Sequence, residues 1–243
     1  MTINVAHEAP VSHITEVQKV TELDFAIAPY VLEYTNYAYL YFTRPANRVL
    51  IMDNGKFELG VPLAPKEVIR AAAYTRADYV VAPDYFGDVD QTVAAFKKFI
   101  LEPLPCKVAA VVVGQTAAEQ VACYKLYQQI GHVDMYCWSF LYPRSEALYM
   151  LDYDQFDLTK PHHLLGFGTI AELRTTYMRL RSLDLDSVSI DTMKPINATF
   201  RGETLKDVGR GRRERPSLDV KLDRELLHYN LGVFRGWMES ITR

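Results

Sequence analysis

The chain has 243 residues, 49% of them hydrophobic, which is enough to bury one large core or two small ones. A formal net charge of −3 and a pI near 6.1 exclude a globally basic nucleic-acid binder and leave only local basic surfaces. Three cysteines, Cys106, Cys123 and Cys137, are odd in number and lack CxxC spacing, which argues against a disulfide framework or zinc ribbon and for a reducing compartment.

The first twenty residues are poorly patterned. They lack a basic region followed by an apolar core, so no signal peptide and a cytoplasmic location are expected, in a host's cytoplasm if the chain is phage-encoded. No apolar run anywhere approaches the ~20 residues of a membrane span, so no membrane partner is expected. A first strand is predicted over 25–28, and no G-x-G-x-x-G follows it, which weakens a dinucleotide-binding open sheet. Next comes IMDNGKFELG (51–60). Asn54-Gly55 is a hairpin signal, but the preceding VLIM (49–52) is apolar at every position, as in a strand buried on both faces of a parallel sheet. Pro62 and Pro65 arrive before a partner strand can form. A buried strand ending in an acid and a glycine turn suits a catalytic loop better.

A helical pattern over 65–77 leads to a strand at 79–82 and then Asp84; helix 90–102 leads to strand 108–113; helix 117–131 leads to strand 133–137. Strand 163–167, helix 169–183 and strand 188–190 follow, the last ending at Asp191. This βα alternation predicts a single domain over 1–243, a (β/α)8-type TIM barrel of irregular form, with seven legible strands and an eighth hidden in the N-terminal segment 1–20. The acids matter most. Asp53, Asp84 and Asp191 each follow a predicted strand, and a βα barrel gathers its C-terminal strand ends on one face. Each of these aspartates also has a plain alternative as a helix N-cap. The segment 201–217 is polar and carries Arg210, Arg212, Arg213 and Arg215, suited to a solvated loop or to gripping backbone phosphates. From Leu218 to the C-terminus a closing amphipathic helix is predicted, with Leu222, Leu226, Leu227, Leu231, Phe234 and Met238 on its docking face.

In this order the motifs resemble the tRNA-guanine transglycosylase superfamily, and especially its short phage-type relatives that place 7-deazaguanines in DNA. RVLIMDNGKFELG (48–60) is similar to the family's D-S-G-G-[FY]-Q loop, and APKEVIRAAAYTRADYVVAPDYFGD (64–88) to its S-P-E helix and the strand ending in Asp. HLLGFGTIAEL (163–173) resembles L-M-G-V-G-T-P-x-D-L, SVSIDTMKPINA (187–198) the strand ending in the nucleophile, and LLHYNLGVFRGWMESI (226–241) the closing L-x-x-x-H-N-L helix.

The resemblance implies that Asp191 is the nucleophile and Asp53 the general acid/base, working without a cofactor. Asp84 would bond the base edge, Phe57 and Leu165 would cover its two faces, and Asn54, Gly55, Gln115 and Gly166 would complete the base site. Lys56 and Lys194 join the four arginines as polynucleotide contacts. The chemistry suits these residue types: breaking an N-glycosidic bond needs a carboxylate to trap C1′ and a second carboxyl to protonate the leaving base. The family's zinc cysteines are absent, so no metal is expected. CWSF (137–140) stands where the family has a glycine-rich loop, which places Trp138 against the base's 7-substituent and favours the linear nitrile of preQ0. The family's tRNA-gripping arginines become Ile196, Asn197 and Ala198, which favours DNA over tRNA as the acceptor. The expected partners are DNA (tRNA as the alternative), a free 7-deazaguanine base, and a second copy of the chain in a homodimer. Two other readings stay open: a barrel hydrolase using Asp53 and Asp191 alone, and a nucleic-acid-binding barrel without chemistry.

Overall fold

The computed structural model describes residues 3–21, 23–185, 188–205 and 216–242. Its strands are β1 (Ile3–His7), β2 (Leu23–Ile27), β3 (Val49–Asp53), β4 (Tyr79–Val81), β5 (Lys107–Val112), β6 (Met135–Ser139), β7 (His162–Leu165) and β8 (Val188–Thr192). All pair in parallel, in the order β1-β8-β7-β6-β5-β4-β3-β2, and the sheet curls into a nearly closed (β/α)8 barrel. The hidden eighth strand is β1, alongside β8 with Ala6 opposite Asp191. β2, β6 and β8 are buried at every position, as strands of a parallel sheet covered on both faces are, and the buried polar residues Asp24 and Ser189 sit within them.

The helices are α1 (Ile14–Gln18), α2 (Ala28–Glu33), α3 (Thr35–Phe42), α4 (Lys56–Leu59), α5 (Pro65–Thr75), α6 (Val89–Phe99), α7 (Ala117–Ile130), α8 (Arg144–Met150), α9 (Ile170–Ser182), α10 (Lys194–Phe200) and α11 (Arg224–Thr242). Their starts have local causes. Thr116 and Glu119 form a reciprocal capping box on α7, Thr169 caps α9, and Asp88 caps α6. None of these longer helices is capped by Asp53, Asp84 or Asp191.

Among the described residues no backbone ladder joins β1 to β2, although the two lie side by side. Phenols serve part of that seam. The Ile27 amide donates to Tyr37 Oη at 3.2 Å, and the Tyr41 hydroxyl donates to the Phe25 carbonyl at 3.2 Å. Both tyrosines are buried on α3, and their hydroxyls satisfy edge groups that a neighbouring strand would otherwise take.

The closing helix begins six residues later than the apolar pattern predicts. Asp223 is its cap: Oδ1 accepts from the Leu226 amide at 2.9 Å. Residues 218–222 instead lie against the N-terminal segment. There Val11 N–H donates to the Leu218 carbonyl at 2.9 Å and Leu222 N–H to His13 Nε2 at 2.9 Å. Buried Asn230 then clamps α11, accepting from Leu205 N–H at 2.7 Å and donating to Thr199 Oγ1 and the Glu203 carbonyl at 3.0 Å each. Among the described residues no helix is long and apolar enough to cross a membrane.

Candidate active site

The C-terminal strand ends surround a pocket of about 470 Å³, and Asp53, Asp84 and Asp191 all line it. They come from β3, the loop after β4, and β8, so a barrel-wide arrangement brings together acids that are 138 residues apart at the extremes (191 minus 53).

Asp191 is held by two donors on one oxygen. Its Oδ1 accepts from the Gly166 amide at 2.9 Å and from His163 Nε2 at 3.0 Å. Since a carboxylate only accepts, Nε2 carries the proton, and in the neutral ring Nδ1 accepts from the Ser189 hydroxyl, 2.7 Å away. His163 is fully buried and stacks on Phe25 at 5.4 Å with ring planes 10° apart. Asp191 is thus held through one oxygen, and no described residue hydrogen-bonds Oδ2.

Asp53 ends β3, and its Oδ2 accepts from the Gly55 amide at 2.8 Å. Gly55 sits at φ +74°, where a side chain would overlap Pro29, and α4 starts directly after it. The Asn-Gly turn is therefore a loop at the barrel mouth and no hairpin. Burial raises the Asp53 pKa well above the ordinary carboxylate value. Glu58 adds to that rise, as do Asp84 and Asp191, while the Gly55 hydrogen bond opposes it. A carboxyl raised in this way is shifted towards its protonated form.

Asp84 is buried with two partners: Oδ1 accepts from Asn54 Nδ2 at 2.9 Å and Oδ2 from Lys56 Nζ at 3.0 Å. Lys56 is the first correction. The expected phosphate contact is buried at 4% exposure, paired with Asp84, with its ammonium 3.7 Å from the centre of the Phe86 ring. Burial lowers its pKa, and Asp84 partly restores it. A polynucleotide contact was expected because sequence alone did not reveal a carboxylate 28 residues away folding over the ammonium.

Phe57, Leu165 and Gly166 line the pocket as expected, Phe57 being 42% exposed. Gly55 positions the loop behind the lining. Two further residues are elsewhere. Trp138 lies within β6, which runs on to Ser139; strand alternation sends Ser139 to the pocket and Trp138 to the opposite face. There it is wholly buried beside Tyr124 of α7, donating from Nε1 to His162 Nδ1 at 3.0 Å. Gln115 is exposed at the entry to α7, its backbone N–H donating to Glu119 Oε2 at 2.7 Å, and it does not line the pocket. Lys194 does line it, whereas Arg210, Arg212, Arg213 and Arg215 lie outside the described residues.

The sequence reading missed His163, Glu8, Glu58, Phe86, Phe140 and Arg201. His163 stands two residues before a motif position and reads as one more strand residue; its only signal is a polar side chain in an apolar run. Glu8 enters through the strand that patterning did not locate. Burial pushes the Cys106 and Cys123 thiols up to about 12, which removes both as nucleophiles. Among the described residues no group of three or more metal-ligating side chains is assembled. Comparison of the sequence with protein-family models and with curated proteins returns no match.

Proposed function

We propose that this chain is a base-exchange transglycosylase that replaces guanine in a polynucleotide by a 7-deazaguanine. The observation that carries this reading is the pairing, in one pocket, of a carboxylate fixed by one oxygen with a second carboxyl whose pKa is raised. Asp191 Oδ2 attacks C1′, the C1′–N9 bond breaks, and its electron pair leaves with the guanine, which Asp53 protonates. The ester at C1′ persists until an incoming base gives its ring N–H proton to Asp53 and attacks C1′, which releases Asp191. No redox step is involved, and the proton borrowed in the first half is returned in the second.

The walls suit a flat ring. Phe57 supplies an aromatic face and Leu165 an aliphatic one. Asp84 has two of a carboxylate's roughly four lone-pair sites engaged by Asn54 and Lys56, leaving others for the base's N–H donors. The acceptor is DNA in this proposal, since Ile196, Asn197 and Ala198 stand where the resembling family grips tRNA. Extruding a base costs a few kcal/mol, which sandwiching by Phe57 and Leu165 offsets in part. The preference for a nitrile substituent loses its argument with Trp138 on the far face of β6, so 7-cyano- and 7-aminomethyl-7-deazaguanine are tested equally.

The test is incubation with DNA or tRNA and either base, followed by nucleoside mass spectrometry. Incorporation into DNA is expected. Label entering tRNA alone would move the acceptor to RNA; free guanine released without incorporation would make the chain a hydrolase. Denaturing gels should also show a protein–nucleic acid adduct with the wild type and none with Asp191→Asn. An adduct that survives this substitution would place the nucleophile elsewhere.

A further inference from the structure

Phosphates and base are tied to the same sugar, so a pocket that attacks C1′ must meet a phosphate close to its nucleophile. The side of the pocket next to Asp191 is where cations collect. Lys194, three residues after Asp191, and Arg201, at the far end of α10, both line it. Asn197 lies between them in the helix, one turn from each, and brings a side-chain amide to the same wall. Spacings of three, four and seven residues put all three side chains on one face of α10.

The charge balance there is unfinished. Lys194 has no carboxylate within ion-pair distance among the described residues; its ammonium only overlies the Phe167 ring, 5.0 Å from the centre. Arg201 pairs through Nε with the exposed Glu203 at 2.9 Å, leaving the rest of its guanidinium free of carboxylate. Half-burial lowers the Lys194 pKa, and the positive charge of Arg201 lowers it further. Asn197 Oδ1 is buried with no hydrogen-bond partner among the described residues. Two like charges facing one pocket are stabilised by an anion between them; the buried Asn197 Oδ1 only accepts and takes no part in that, so any contribution of Asn197 to an anion comes from its Nδ2 donor. By contrast, the third pocket cation, Lys56, is already committed to Asp84.

We propose that Lys194, Asn197 and Arg201 form a clasp for the phosphodiester of the nucleotide whose base is exchanged. Resting on the transglycosylase reading, this gives the pocket a direction: base towards Asp53 and Asp84, sugar at Asp191, phosphate at α10. The clasp recognises a backbone and carries no sequence information, so it suits any polynucleotide that can present an extruded guanine.

The experiment compares binding of deoxyguanosine with its 3′- and 5′-monophosphates by the full chain, needing no turnover. The wild type is expected to prefer one monophosphate about tenfold or more over the nucleoside. Lys194→Met and Arg201→Gln should each erode that preference and the double variant abolish it, while Lys194→Arg retains it. Lys97→Met, an exposed lysine on α6, should leave it unchanged. On a guanine-containing oligonucleotide, Lys194→Met should reduce the salt slope of log K by about one unit. Equal binding of nucleoside and monophosphates by the wild type, or a preference that survives the folded double variant, overturns the clasp even if exchange is observed. A preference that the double variant loses, in a chain that performs no exchange, upholds the clasp and removes the transglycosylase reading instead. Far-ultraviolet circular dichroism and Tm establish that each variant is folded.

Discussion

Burial and then Glu58 raise the Asp53 pKa, with Asp84 and Asp191 adding to them, so folding takes up a proton that the unfolded chain would release. Between the unfolded value of about 4 and the raised folded value, the native state binds more protons, and stability falls as pH rises through that window. Asp53→Asn should therefore raise Tm at pH 7, do nothing comparable at pH 3.5, and abolish exchange. Thermal unfolding at both pH values checks it; a lower Tm at pH 7 would make the Gly55 hydrogen bond the dominant role of the carboxylate. The opposite sign holds at His162. Trp138 Nε1 only donates, so His162 Nδ1 must accept and the ring is neutral, with burial lowering its pKa to about 4. The unfolded histidine, near 6.5, binds the proton first as pH drops, so this contribution is complete above about 6.5 and lost by about 4. It amounts to something on the order of 3 kcal/mol. His162→Gln should flatten the acid side of a Tm-against-pH curve; an unchanged slope would assign the acid sensitivity to other groups such as His7, also buried and lowered to about 4.

At the scale of elements, the ends of β6 and β7 are held together by one side chain. Buried Arg144, at the start of α8, donates to the carbonyls of Trp138 at 2.9 Å, Leu165 at 3.1 Å and Gly166 at 3.2 Å. It also forms a bidentate pair with Glu172 of α9 at 2.8 and 3.1 Å. That clasp fixes the peptide whose amide holds Asp191. Arg144→Met removes a donor from three carbonyls and a carboxylate, of which the Leu165 carbonyl keeps the Phe140 amide and Glu172 the Thr176 hydroxyl, and should cost about 3–5 kcal/mol, read as a shift in denaturant midpoint. Loss below about 1 kcal/mol would mean that water replaces the guanidinium. Gly166 itself sits at φ +68°, where a Cβ would overlap the Phe140 ring. Gly166→Ala should cost about 1–3 kcal/mol and lower kcat more than it raises KM for polynucleotide, because it moves the amide bonded to Asp191. A change confined to KM would separate this loop from the nucleophilic role proposed for Asp191.

At the scale of the whole molecule, backbone pairing among the described residues is interrupted at the seam between β1 and β2. Strands β3 to β7 each have laddered neighbours on both sides, whereas β1 is laddered on one side only. Amides of β1, and of the 218–222 segment lying against residues 11–13, should exchange with deuterium earlier than those of β3 to β7. Uniform protection around the barrel would show that the phenols of α3 hold the seam as tightly as a ladder. The basic 206–215 sequence lies between Leu205, which Asn230 anchors, and Pro216, which lies beside Glu8 and Met193. Neutralising Arg210, Arg212, Arg213 and Arg215 should flatten the salt dependence of polynucleotide binding by up to about four units of slope. An unchanged slope would return the stretch to a solvated role.

The βα alternation and the positions of Asp53, Asp84 and Asp191 were readable in one dimension because both follow from local rules. Doubly buried strands are continuous apolar runs, and parallel strands place their C-terminal residues on one face whatever their separation along the chain. The N-terminal strand INVAH escaped because Asn4 breaks its apolar run, and the late start of α11 because Leu218, Val220 and Leu222 alternate as well with an extended segment as with a helix. What the sequence left open were contacts between residues far apart in it. Trp138 was assigned to the wrong face because a strand end misplaced by two residues turns a continuing strand into a loop, and face alternates with every residue. Lys56 reads as a polynucleotide contact until the fold sets Asp84 3.0 Å from it, and His163 has no visible role until β7 and β8 set it against Asp191. The chain alone thus specified that Asp53, Asp84 and Asp191 meet; only the barrel decided that Glu8 and Glu58 join them, which acid is paired, which is held by one oxygen, and which has its pKa raised.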